Sequence, residues 1–122
     1  MTRIPSVLAF VTAFFLLSAA ANAQGVSPNV NIAAGVQTIV IEAGEGYSPE
    51  QTIAKAGIPS VLQMKTTGTI DCSLALVIPQ LSYRATLPVK GETAISVPAQ
   101  ARGSKLRGLC SMAMYSFEIT FN

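Results

Sequence analysis

From residue 36 onward, apolar and polar residues alternate in short runs separated by glycine and proline, and no segment keeps the three-to-four spacing of an amphipathic helix. In Val36 to Ala43, Ile39 and Ile41 oppose Thr38, Val40 and Glu42, and Gly44-Glu45-Gly46 ends the run. Tyr47-Ser48-Pro49 leads into Gln51 to Lys55, which reads as a short strand centred on Ile53. Gly57 and Pro59 turn the chain into Ser60 to Thr66, where Leu62 and Met64 share one face. After Thr67-Gly68-Thr69, the run Ser73 to Ile78 is almost wholly apolar, as expected of a central strand covered on both faces. Leu81 to Leu87, Glu92 to Val97 (with Ile95 and Val97 on one face) and Lys105 to Cys110 follow. The last strand sets Tyr115, Phe117, Ile119 and Phe121 against Ser116, Glu118 and Thr120. Roughly seven or eight short strands with regular turn signals predict an all-β fold, a small Greek-key β-sandwich or barrel.

The first 35 residues do not belong to that pattern. Arg3, the apolar run Val7 to Leu17 and the small residues of Ala21-Asn22-Ala23 have the form of a cleavable signal peptide over residues 1–23. The apolar run is too short for a membrane span, so no span is expected after processing. Residues 24–35, small and polar, read as a flexible N-terminal leader, and 36–122 as the folded domain. Cleavage leaves roughly 100 of the 122 residues, enough for one two-layer core, in a periplasmic or secreted protein.

Charge narrows the choice of partners. Without Arg3 the basic residues exceed the six acids by one, so there is no electrostatic footprint for nucleic acid or anionic lipid. The carboxylates are scattered, there is no histidine, no serine has an activating base and no glycine-rich phosphate cradle occurs. The expectation is a binding protein and not an enzyme.

The candidate chemistry is sulfur. Cys110-x-Met112-x-Met114 places one thiol and two thioethers within one loop, and the only other cysteine is Cys72. Soft donors gathered at the mouth of a terminal strand suit a soft metal ion, above all Cu(I). Two cysteines in an exported chain also pair as a disulfide, and methionines beside strands also serve as core filler. The spacing admits both readings. In a Greek-key sandwich the entrance of the Cys72 strand and the end of the Cys110 strand can meet at one end of the barrel.

Three stretches, Gly46-Tyr47-x-Pro49, Cys72 with its apolar strand ending Ile78-Pro79, and Cys110-x-Met112-x-Met114-Tyr115, resemble the cupredoxin family. The resemblance is closest to the small cupredoxin-like domains of bacterial copper and heavy-metal handling, free or attached to copper-translocating ATPases. In blue-copper members the first ligand is a histidine, and here Cys72 stands in its place. The resemblance therefore implies Cys72 and Cys110 as thiolate ligands and Met112 and Met114 as thioether ligands. Such a set favours Cu(I), with Ag(I) suited by the same softness, and implies sequestration or delivery to a copper transporter or carrier. Ser111 and Ala113 stand where such relatives have glycines. The alternatives are a sandwich stapled by Cys72–Cys110 that serves as an interaction or structural module and, less favoured without imidazole, an electron-transfer cupredoxin.

Overall fold

The computed structural model describes residues 25–122, so the signal-peptide reading of 1–23 lies outside the described residues. Ten strands follow in order: β1 Val30–Ala33, β2 Val36–Ala43, β3 Tyr47–Ser48, β4 Gln51–Ala54, β5 Ser60–Thr67, β6 Ala75–Ile78, β7 Tyr83–Thr86, β8 Lys90–Val97, β9 Lys105–Cys110 and β10 Ser116–Phe121. Single 3₁₀ turns occupy Cys72–Leu74 and Pro79–Leu81, and no α-helix occurs among the described residues. Nor is any helix among them long and apolar enough to cross a membrane.

The strands form two mixed sheets packed as a β-sandwich. One runs β1-β2-β5-β8, with β3 pairing the far end of β2, and the other β4-β10-β9-β6-β7. Two neighbouring pairs are parallel, β2 with β5 and β4 with β10, and the rest are antiparallel. The alternation seen in the sequence sets the core. Ile39, Ile41, Leu62, Met64, Ile95 and Val97 point inward from the first sheet, and Leu76, Ile78, Leu106, Phe117, Ile119 and Phe121 from the second. The largest polar side chain that joins them fully buried is Gln37. Its amide donates to the Lys55 carbonyl and the Ser60 hydroxyl and accepts from the Lys55 N–H, so the buried group is satisfied.

The structure departs from the sequence reading at three places. Within the stretch read as a leader, Val30–Ala33 pairs with β2, and Ser27 and Asn29 bond to β4 and β2. In β4, Thr52 and Ala54 are buried, while Ile53, the apolar residue on which the strand reading centred, is 41% exposed. The strand lies at a sheet edge, where the Ser27 backbone and hydroxyl bond to Ile53 and the Thr52 hydroxyl accepts from Asn29. The run Ser73 to Ile78 begins as a turn, and β6 buries only Leu76 and Ile78 while Ala75 and Val77 are half-buried. A two-layer sandwich has no third layer to cover the outer face.

The β1–β2 hairpin closes through Ala34-Gly35, both with positive φ (51° and 77°), between paired Ala33 and Val36. A two-residue loop with both φ positive favours Asn-Gly, because asparagine tolerates the left-handed region better than alanine. Ala34→Asn is therefore expected to stabilise the protein by about 0.5–1 kcal/mol, read as a higher urea midpoint with an unchanged slope.

Candidate metal centre

Each cysteine is placed by strand pairing. Cys110 ends β9, an interior strand between β10 and β6, and has no exposed surface. It lies opposite Leu76 in β6, which starts just after the turn Cys72–Leu74. That register brings Cys72 to a Cα separation of 5.6 Å from Cys110 across 38 positions of sequence, and the two sulfurs are joined as a disulfide.

The Cys72 turn is held by groups other than the bridge. Asp71 caps it: one carboxylate oxygen accepts from the Ser73 N–H and hydroxyl, and the other from the Glu45 N–H. This is the local signature of an aspartate two residues before a serine, and it explains why the strand starts late. The hydrogen bonds, first that from the Ser73 hydroxyl, hold the Asp71 carboxyl below the usual aspartate range, while partial desolvation opposes them. The Ser73 carbonyl in turn accepts from the Tyr47 hydroxyl at 2.9 Å. Burial, and next the Asp71 charge, push ionisation of Tyr47 well up. The Tyr47 ring meets Phe117 edge-to-face at 5.1 Å. Gly46, at φ 107°, lies against the Tyr115 ring, where a Cβ would come within 3.3 Å. The Gly46-Tyr47 pair thus braces both cysteine-bearing segments. The bond from Tyr47 to the Ser73 carbonyl was not legible in the sequence, because a side chain's backbone partner leaves no pattern.

An acid-sensitive contribution follows from Asp71. Its folded pKa is depressed, so its stabilisation is complete above the ordinary aspartate value and is lost as pH falls through the lower folded value. Asp71→Asn should be less stable than the parent at neutral pH, and the two should converge on acidification through that window, as followed by thermal unfolding at a series of pH values.

Met112 and Met114 lie on the five-residue connection between β9 and β10. The Ser111 N–H donates to Ala75, the Ala113 N–H to Cys110 and the Cys110 N–H to Tyr115. Ala113 takes φ 57°, the left-handed conformation that a glycine would accept at lower cost. Ser111 is not among the positive-φ residues, so only one of the two replaced glycines meets that restriction. Both methionines stand in solvent, 71% and 64% exposed, and neither joins the core. Of the four predicted ligands, the structure therefore joins Cys72 to Cys110 and sets both thioethers on the adjoining loop at the same end of the sandwich. With the bridge open, this end of the sandwich would offer two thiols and two thioethers, donor types suited to a soft monovalent cation. No cluster of three or more histidine, cysteine, aspartate or glutamate side chains occurs among the described residues. A cavity of about 1020 Å³ lies at the opposite pole, lined in part by Val26, Ile32, Lys55, Arg102 and Asn122.

No protein-family model matches the chain, and no curated protein matches its sequence. Solved structures do share its fold. The metal-binding domain of the Cu(I)-exporting P-type ATPase CopA of Streptococcus pneumoniae, crystallised with Cu(I), superposes with a TM-score of 0.66 at 23% identity, covering 76% of this chain and 92% of that one. A copper-binding protein solved by NMR in its apo form superposes with a TM-score of 0.68 at 22% identity, covering 76% of this chain and 94% of the other. The two-sheet sandwich of this chain is thus the fold of these two copper-binding structures.

Proposed function

We propose that this protein is a cupredoxin-like Cu(I) carrier of the periplasm or the secreted fraction, holding the ion through Cys72, Cys110, Met112 and Met114. It sequesters the ion or hands it to a copper transporter or another carrier, and it is a binding protein and not an enzyme. The observation that carries this reading is the convergence of Cys72 on Cys110 at the base of the methionine loop, in a chain without histidine. Thiolate and thioether donors favour Cu(I) over Cu(II), and Ag(I) fits by the same softness. The structural likeness to two copper-binding proteins supports it, and the signal-like residues 1–23 support the location.

The test is competition for Cu(I) against a chromogenic chelator, with the protein reduced. Cys72→Ser with Cys110→Ser is expected to abolish binding, and Met112→Leu with Met114→Leu to weaken it. Unchanged affinity in the double-serine variant would overturn the assignment. The disulfide itself favours a second reading, a sandwich stapled by Cys72–Cys110 that serves a protein partner through its loops. Thiol counting on protein isolated without reductant separates the two. Free thiols that disappear on adding Cu(I) support the carrier, and none, with no Cu(I) uptake after reduction, supports the staple.

A further inference from the structure

The two sulfurs assigned to copper are bonded to each other, and a disulfide offers no thiolate. The protein must therefore be reduced before it can load. The surroundings of the pair are unequal. Cys110 has no exposed surface, at the end of a strand flanked on both sides, so no incoming sulfur reaches it without opening β9. Cys72 is half-buried on a three-residue turn at the rim, two residues after Ile70, whose side chain is 77% exposed. Contacts that do not involve the bridge also hold both segments: Asp71 to Glu45 and Tyr47 to Ser73 fix the Cys72 turn, and Ser111 to Ala75 ties it to the end of β9. Opening the bond therefore leaves both segments in place, and the sulfurs need only part to non-bonded distance.

We propose that Cys72–Cys110 is a thiol–disulfide exchange site, entered through Cys72, whose partner is a dithiol protein of the Cys-x-x-Cys class. A thiolate of the partner attacks the Cys72 sulfur, forming the mixed disulfide and expelling Cys110 as a thiolate. The partner's second thiolate then attacks its own sulfur of the mixed bond and releases Cys72. The net change converts one disulfide here into two thiols and two thiols of the partner into one disulfide. The exposed side chains of Ile70, Met112 and Met114 at this end provide apolar surface for the partner. As the step that charges the site for copper, this inference rests on the carrier reading; as chemistry, it stands apart from it.

The test mixes the oxidised protein with a Cys-x-x-Cys oxidoreductase whose second cysteine is replaced by serine, quenches in acid and maps the mixed disulfide by mass spectrometry. The expected adduct is on Cys72, at least about tenfold over Cys110. Comparable labelling of Cys110, or no reaction until denaturant is added, would overturn the proposal. A second measurement compares alkylation of the single variants under native conditions. The free thiol of Cys110→Ser should react at least about tenfold faster than that of Cys72→Ser, with the rates converging in denaturant. Equal native rates count against the proposal. Failure of the reduced protein to bind Cu(I), with the adduct still on Cys72, sinks the copper reading and leaves the exchange site standing.

Discussion

Gly108→Ala is expected to lower the stability of the folded protein by about 3 kcal/mol or more, a large part of what holds a domain of this size together. Gly108 lies directly across from Phe117 in the β9–β10 ladder, and the phenyl ring lies over its Cα. A methyl group built there overlaps Cζ and Cε1 of the ring and comes within 3.0 Å of Cε2. The ring has little room to retreat, being 1% exposed and packed against Tyr47. The strand would have to shift, and with it Cys110 two residues further on. Urea unfolding measures the effect. Combining Gly108→Ala with Phe117→Leu should cost less than the sum of the two single changes by about 1 kcal/mol or more, because the smaller side chain makes room for the methyl. Additive losses would show that the glycine is needed for some reason other than the ring.

Opening the disulfide has the second large effect. The bridge closes a loop of 38 positions, and the chain-entropy relation assigns such a closure about 4 kcal/mol, exerted mainly on the unfolded chain. The reduced protein is expected to remain folded, with a urea midpoint lowered by that amount divided by the slope. Cys72→Ala with Cys110→Ala should show the same shift and lose its sensitivity to reductant. A midpoint indifferent to reduction would mean that the unfolded chain already holds the two segments together. Copper added to the reduced protein should restore part of the loss, since a ligand that binds only the folded state stabilises it.

Where one face of a strand is buried, the alternation of residue types carries the answer. Val36 to Ala43, with Ile39 and Ile41 inward, was readable for that reason, as were Leu62 with Met64 and Phe117 with Ile119 and Phe121. Reading failed where an edge or a cap decided the matter. Ile53 faces out because its strand borders solvent and is tied to Ser27, a partner 26 positions away. Ser73 leaves the strand because the Asp71 carboxylate captures its N–H. Gln37 shares the inward face of Ile39 and Ile41, but the partners that satisfy it there, Lys55 and Ser60, come from two other strand ends and leave no local pattern. At the candidate site, the meeting of Cys72 and Cys110 was legible from the strand order. Whether their sulfurs stand as thiols or as a bond depends on electrons supplied from outside, and no residue pattern encodes that.

The last strand has a consequence for how the molecule is made. β10 is an inner member of its sheet, hydrogen-bonded to β9 on one side and to the early strand β4 on the other, with Glu118 opposite Gln51. While residues 116–121 are still inside a ribosome or a translocation channel, β4 lacks its strand partner in the sheet, and Phe117, Ile119 and Phe121 are missing from the interior. The second sheet therefore closes only when residues 116–121 arrive, and a chain interrupted before them leaves β4 without its ladder.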